Sequence, residues 1–389
     1  MQITAIHERS VAISRYADSS LPSGGLTTSI VAIETDVRQN GAPVVGFGFA
    51  SFGRYAQSGL IRERFVPRLL DAPPASLLDD AGSNLDPFRA WDVMMSGEKA
   101  GGHGERCVSV GALDMAIWDA AAKRAGLPLY CFLAGRTGRC VSEHPGILAY
   151  AGGGYRYPAN DLAALADEMS RLRALGYTHA KMKIGGAPLL TDLRRIEVAA
   201  GRLNGPGCLA VDAMNTYDPP DVAAAATALA SLGLWWVEDI CDPLDFETLA
   251  AIARSYPHPL AAGEALFSAQ EATLLHRHGG LRPGTDVLVF DPVHCYGIPG
   301  YLRIVNALER GGWPSQAFWP HGGHLMSLHV AAALGLGGAE VNPGCFHPFG
   351  GLHDNAVVAD GVVSPPDLPG IGFEGQAQAY RVFRSLLEE

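Results

Sequence analysis

The 389-residue sequence is short of positive charge: 29 Lys and Arg stand against 40 Asp and Glu, a formal net charge of −11. Nucleic acid and anionic membrane select a basic footprint, so neither is an expected partner. An anionic ligand would have to be gripped by local positive charge. Cysteine is sparse and unpatterned. The seven, at 107, 131, 140, 208, 241, 295 and 345, are odd in number and include no C-x-x-C pair. Unpaired thiols in a reducing compartment are the simplest expectation. No apolar run is long enough for a membrane span. The longest uncharged one, Val222 to Val237, ends at Glu238, short of the roughly 20 residues required. Met1 to Arg9 does not have the shape of a signal peptide. The expectation is a soluble, cytoplasmic protein.

Hydrophobic residues make up 48% of the chain, enough for a large core. Leu26 to Val37 and Pro43 to Ala50 are rich in Val, Ile, Thr and Phe and predict strands. Residues 57–125 then read as helical. The clearest helix is predicted to start after Ser109 as N-cap, run through Leu113, Met115, Ile117 and Trp118, and stop at Gly126 and Pro128. From about residue 146 short apolar runs alternate with amphipathic stretches. The strand candidates are Ile147–Tyr150, Thr178–Ile184, Cys208–Asp212, Leu234–Glu238, Pro259–Glu264, Asp286–Asp291, Gln316–His321 and Ala339–Val341. Ser268 with Glu271 has the spacing of a capping box. Alternation of this kind means parallel βα units, and eight of them close a barrel. The Gly- and Pro-rich tail after Asn342 is expected to fold back on the first domain.

Three carboxylates end three consecutive strand candidates: Asp212, Glu238 and Glu264, spaced 26 residues apart (238 − 212 and 264 − 238). In a parallel barrel one such period returns the chain to the same face, one strand over, so the three should converge at the mouth. Converging carboxylates repel unless a cation is present. Hard oxygen ligands without a thiolate suit Mg²⁺ or Mn²⁺. A single strand-end acid usually just caps the next helix; three in equal register favour the metal. In Thr178–Ile184, Lys181 and Lys183 share one face and Ala180, Met182 and Ile184 the other. The apolar face must pack on helices, which points the lysines inward. Asp291 and His321 end the next two candidates, on adjacent strands six and seven, and a carboxylate beside an imidazole fixes its tautomer and raises its basicity. His321-Gly-Gly-His324 could be read as a metal pair, on weaker grounds. Glu340, ending the last candidate, could hydrogen-bond a substrate or cap the next segment. His294, His347 and His353 have no motif around them and read as structural.

Lys-x-Lys, then Asp, Glu and Glu, then Asp and His on successive strands, resembles the mandelate racemase subgroup of the enolase superfamily. Val110-Gly-Ala-Leu-Asp-Met-Ala-Ile-Trp-Asp119 followed by Gly126-Leu-Pro-Leu-Tyr130 is similar to that family's capping-domain helix. The resemblance implies an α/β protein. A modified TIM (β/α) barrel over 141–354 would carry the active site, with an N-terminal α+β capping domain over 1–140 completed by the tail, 355–389. It also implies Mg²⁺ held by Asp212, Glu238 and Glu264, Lys183 as base, and His321, oriented by Asp291, as acid or base on the opposite face. Lys181 would hold the substrate carboxylate, with Asn215 and Glu340 as further contacts. Met214 stands where the family often has Asn, with Asn215 after it, and the second ligand is followed by Asp239-Ile240 rather than an acid and Pro. Both changes touch the surroundings of the ligands, not the ligands. Within the subgroup the chain most resembles the D-tartrate dehydratases, through Lys99–Arg106, Asp212–Tyr217 and Cys345–Asp354. The implied partner is a small hydroxy acid, and the implied assembly a homo-oligomer. The distal carboxylate of a diacid needs donors outside the barrel, for which Arg54, Tyr55 and Lys99 are candidates.

The expected chemistry is removal of the α-proton of a carboxylate, giving an enediolate, followed by loss of a β-hydroxyl. A lysine base must be neutral, and Lys181 with a metal nearby should lower its pKa from about 10.4. Racemisation by Lys183 and His321 as a two-base pair, dehydration of another sugar acid, a non-catalytic barrel and a metal-dependent hydrolase are the rival readings.

Overall fold

Three antiparallel strands open the chain: β1 (Ile3–Ala12), β2 (Thr27–Gln39) and β3 (Ala42–Phe49). The computed structural model describes residues 1–39 and 41–388. Against this sheet lies the Glu105–Ala125 helix, buried over most of its length. The contact depends on two glycines of β3. A Cβ on Gly46 would sit 1.9 Å from the Ala116 carbonyl oxygen, and one on Gly48 2.4 Å from that of Ala112. Only a strand bare at those positions lets a helix come so near. The helix ends as expected at Gly126, left-handed at φ +68°. It begins four residues before Ser109, which is no N-cap. Ser109 is buried inside the helix and its hydroxyl donates to the Glu105 carbonyl at 2.9 Å. A serine hydroxyl can satisfy itself on the preceding turn as readily as at a terminus, and the sequence does not distinguish the two.

The second part is a ring of parallel strands: β4 (Ile147–Gly153), β5 (Ala180–Lys183), β6 (Leu209–Asp212), β7 (Val237–Glu238), β8 (Leu260–Ala262), β9 (Val287–Leu288) and β10 (Ala339–Val341), in the order β10-β4-β5-β6-β7-β8-β9. The extended segment 318–321 fills the gap between β9 and β10. Trp319 N–H donates to Leu288 O (2.8 Å) and His321 N–H to Phe290 O (3.3 Å) on one side; Gly337 N–H reaches Phe318 O (3.1 Å) and Glu340 N–H reaches Pro320 O (3.2 Å) on the other. The eight strand candidates therefore all fall on the ring, and the fold is the modified β/α barrel with an N-terminal α+β domain.

Register does the placing. Lys183 is the direct cross-strand partner of Asp212, and Asp212 of Glu238. Below this row the barrel is plugged by aromatic rings: Trp235 and Trp236 lie 3.8 Å apart, Tyr150 and Trp236 5.1 Å, Trp236 and Trp319 5.7 Å. Lysines and carboxylates thus stand on an apolar floor.

The two parts are joined by polar contacts as well as apolar ones. Asp114 accepts from Ile298 N–H (2.7 Å) at the start of the Gly297–Arg310 helix, and Trp91 Nε1–H donates to Tyr296 O (2.7 Å). The tail divides. Its strand β11 (Val362–Val363) pairs antiparallel with β4, whereas Phe383 stacks on Phe47 of β3 at 5.2 Å. Among the described residues no helix is long and apolar enough to cross a membrane.

Candidate active site

The inward side chains converge at the C-terminal ends of the strands. Asp212, Glu238 and Glu264 each offer a carboxylate oxygen, and these oxygens lie within 4.8 Å of one another. Asp212 and Glu238 are fully buried. Two lysines partly compensate them. Lys181 pairs with Glu238, and stands 3.5 Å from Asp212 and 3.4 Å from Glu340; Lys183 pairs with Asp212. Trp236 of the aromatic floor donates its indole N–H to Glu238 at 2.9 Å, a support the sequence does not advertise.

The charges act on one another strongly. Burial alone would raise the Asp212 carboxyl, but Lys183 and Lys181 outweigh it and hold it at about 2. Glu238 is pushed up to about 7 by burial, with Asp212 and Glu264 pushing the same way against the opposing pull of Lys181. Lys183 is governed by the carboxylate it pairs with. Burial and Lys181 do depress it, yet Asp212 and Tyr155 outweigh them and its pKa is raised. The expected lowering holds only once Asp212 is engaged by another cation, leaving burial and Lys181 to act. The surplus of carboxylate already calls for one. Glu264 Oε2 is buried without a hydrogen bond among the described residues, although His321 Nε2 stands 3.3 Å away, and Asp239 Oδ2, beside the cluster at φ +49°, also lacks one. Unpartnered buried carboxylate oxygens are costly unless a cation completes them. An oxygen-only donor set of this geometry fits a divalent hard cation.

On the facing side His321 Nδ1 donates to Asp291 Oδ2 at 2.9 Å, while its Nε2 points to Glu264 (3.3 Å) and Glu340 (3.7 Å). Burial would lower the imidazole, but Glu264, Glu340 and Asp291 together lift it to about 10. Burial opposes the ionisation of Asp291 too, and the surrounding histidines, His294 and His321 foremost, hold it well below the usual range. Glu340 is kept ionised against its burial by Lys181 and His321, and accepts from Gly322 N–H at 3.2 Å.

A cavity of about 290 Å³ opens over these groups, lined on the barrel side by Lys183, Asn215, Glu264, His321 and Glu340, and on the N-terminal side by Arg15 and Arg54. Asn215, at φ +57°, is held by its amide's bond to Cys241 O at 2.6 Å. Arg54 is brought to the site, its guanidinium 4.8 Å over the Phe267 ring. Tyr55 and Lys99 are not. Tyr55 is 56% exposed and its hydroxyl reaches Gly24 O at 3.3 Å. Lys99 lines a separate cavity of about 380 Å³ with His103, Arg106 and Tyr296. Both belong to irregular loops, whose course hydrophobic periodicity does not fix. Two polar residues of the cavity have no functional role in the sequence reading, where Arg15 is not singled out and His294 reads as structural. Arg15 lies 5.5 Å over Tyr155, and His294 is buried at the wall with neither ring nitrogen hydrogen-bonded among the described residues, its Nδ1 3.8 Å from Asp291 Oδ2. Position after Asp291 was the one available signal for His294. A larger cavity, about 730 Å³, lies between β3 and the tail, away from the converging carboxylates.

Comparison with known proteins agrees with this architecture. Residues 162–379 match the family model described as enolase C-terminal domain-like. The chain is 32% identical to the 3,6-anhydro-alpha-L-galactonate cycloisomerase of Streptomyces coelicolor, over 72% of each chain. It is 26% identical to the arabinonate dehydratase of Saccharolobus solfataricus, over 73% of this chain and 74% of that one. The crystal structure of L-talarate dehydratase from Polaromonas sp. JS666, complexed with Mg and L-glucarate, superposes with a TM-score of 0.72 at 26% identity, covering 97% of both chains. The chain belongs to the enolase superfamily.

Proposed function

We propose that the protein is a Mg²⁺-dependent dehydratase of a small hydroxy acid, and that D-tartrate, converted to oxaloacetate and water, is its substrate. One observation carries this reading: Lys183 and the Asp291-bound His321 open on one cavity from different sides of a three-carboxylate cluster. Asp212, Glu238 and Glu264 would hold the cation. When bound there, it supplies positive charge that polarises the substrate carboxylate. The chain's own groups do the rest. Lys183, neutral, takes the α-proton. Lys181 faces the carboxyl oxygens on which enediolate charge builds, and Glu340 and Asn215 orient them. His321, protonated, gives a proton to the β-hydroxyl as it departs. The enol so formed becomes the α-keto acid. Arg54 is the N-terminal residue best placed for a distal carboxylate; roles for Tyr55 and Lys99 would require their loops to move. We also propose that 1–140 acts as a capping domain over a barrel of 141–354, with the last part of the tail completing it.

The relatives support a wider alternative, a dehydratase of a longer sugar acid, since they include an arabinonate dehydratase and an L-talarate dehydratase. Racemisation by the same two groups is the other. A screen of tartrates and sugar acids decides among them. The expected result is oxaloacetate from D-tartrate, abolished by a chelator and restored by Mg²⁺. Full activity in excess chelator, or no keto acid from any hydroxy acid, would contradict the proposal.

A further inference from the structure

The segment His321-Gly-Gly-His324 is only half used by the chemistry above; His321 acts, His324 does not. His324 is almost fully buried, its ring 4.9 Å from Phe49 and 5.9 Å from Phe52. Its Nε2 lies 3.1 Å from the hydroxyl of Ser51, and that hydroxyl donates to Asp291 Oδ2 at 2.6 Å. The same Oδ2 receives His321 Nδ1 at 2.9 Å. Ser51 has one hydroxyl proton, and the carboxylate takes it. His324 must therefore carry its own proton on Nε2 and donate to Ser51. The result is a hydrogen-bond chain of fixed polarity, from His324 to Ser51 to Asp291, meeting the donor from His321.

The chain crosses between the two parts of the molecule, since Ser51 follows β3 while Asp291, His321 and His324 belong to the barrel. Several features are arranged around it. Ser51 is completely buried and held at φ +56°, a left-handed conformation that is strained for a non-glycine residue. Such strain persists only where the surroundings impose it. Gly322 leaves the room: a Cβ there would stand 2.7 Å from His324 Nε2 and 3.0 Å from Ser51 Oγ. The other oxygen of Asp291 accepts from Val293 N–H (2.7 Å) and His294 N–H (3.2 Å). Every direction in which Asp291 could turn is thus taken by a donor. The same occupancy argues against reading Asp291, His294 and His321 as a second metal site, although their ligand atoms are near enough to one another for one.

We propose that Ser51 and His324 are positioning residues of the acid–base machinery: they lock Asp291, and through it the imidazole of His321, so that the N-terminal domain takes part in the chemical step itself and not in substrate choice alone. The inference rests on His321 being the acid for the departing hydroxyl. An outer partner of a working group is usually worth about 10- to 100-fold, and the loss should fall on the step that His321 performs.

The test follows two reactions of the intact Mg²⁺-loaded enzyme on D-tartrate: exchange of the α-proton in D₂O and elimination of water. Ser51→Ala is expected to slow elimination about 10- to 100-fold, with exchange and KM changed less than about 3-fold. Ser51→Gly, which removes the hydroxyl and relieves the left-handed strain, should show the same split in a chain at least as stable. His324→Phe should match Ser51→Ala, His324→Gln should restore much of the loss through its own N–H donor, and the Ser51→Ala/His324→Phe double variant should be no worse than Ser51→Ala alone. Exchange and elimination falling together, a change in KM alone, or wild-type elimination in both Ser51 variants would overturn the proposal. His321→Asn serves as control. Its loss of elimination alongside unimpaired Ser51 variants removes this inference only, whereas wild-type elimination by His321→Asn removes the acid assignment beneath it.

Discussion

Two clusters in this molecule combine buried lysine with carboxylate, and they are finished to different degrees. In the first, Asp119 of the long N-terminal helix accepts from Phe47 N–H (2.9 Å) and Ile371 N–H (2.7 Å), and Lys123 bridges Asp119 (2.6 Å) and Glu374 (2.7 Å). Each oxygen of Asp119 has its donor, and the cluster clasps β3, helix and tail together. In the second, at the barrel mouth, carboxylates outnumber lysines, and Glu264 and Asp239 keep buried oxygens without a hydrogen bond among the described residues. A cluster built for stability satisfies its groups internally; one built for chemistry leaves valences for what it binds. The comparison explains why the mouth looks incomplete in isolation and the clasp does not.

The largest effect expected from this contrast is at the mouth. Glu238→Gln should lower turnover on the order of 10³-fold, the equivalent of several kcal/mol of lost charge stabilisation, without recovery at high Mg²⁺. Its melting temperature should be little changed. Circular dichroism and steady-state kinetics on one preparation check both, and a variant that unfolds instead would make Glu238 a structural residue. The clasp should answer in the opposite way. Asp119→Asn puts an amide against backbone donors and leaves Lys123 only Glu374 as a partner, and should cost about 3 kcal/mol in urea unfolding. Activity per folded molecule should stay within about 2-fold; a selective loss of turnover would blur the distinction.

His329 gives the clasp a pH dependence. Its Nδ1 accepts from Tyr130 N–H (3.2 Å) and its Nε2–H reaches Ile371 O (3.0 Å), and burial lowers its pKa from 6.5 to about 4. An imidazole harder to protonate when folded than when unfolded contributes stability that is whole above 6.5 and lost as pH falls from 6.5 toward 4. The difference between the unfolding free energies of wild type and His329→Gln should therefore shift by about 3 kcal/mol over that window and be flat above it. A parallel pair of curves would contradict the assignment. The smallest expected effect lies outside both clusters. Ser268 accepts from Glu271 N–H (3.2 Å) while Glu271 bonds back to Phe267 N–H (2.8 Å), and Ser268→Ala should cost about 1 kcal/mol with no change in kinetics.

What the sequence discloses follows the same division. The mouth is legible because strand periodicity is: alternation by two aims Lys181 and Lys183 inward, and the 26-residue period brings Asp212, Glu238 and Glu264 to one rim. The Ser268 capping box is legible because it is local. The supports are not. Ser51 meets Asp291, and Trp236 meets Glu238, only through tertiary contact, and no spacing announces either. Lys99 and Tyr55 looked eligible by type, yet their loops carry them elsewhere. The pull of Asp212 on Lys183 is hidden for a related reason: the two are adjacent across strands but remote in the chain.

The claim on which the account turns is that Lys183 and His321 serve different atoms in sequence. Following the α-proton of D-tartrate by NMR in D₂O, beside formation of oxaloacetate, tests it directly. With Mg²⁺, Lys183→Ala should lose both exchange and elimination, because no enediolate forms, while His321→Asn should keep slow exchange and lose elimination. If His321→Asn lost exchange and Lys183→Ala kept it, base and acid would have to be interchanged, and the configuration of the substrate's α-carbon with them.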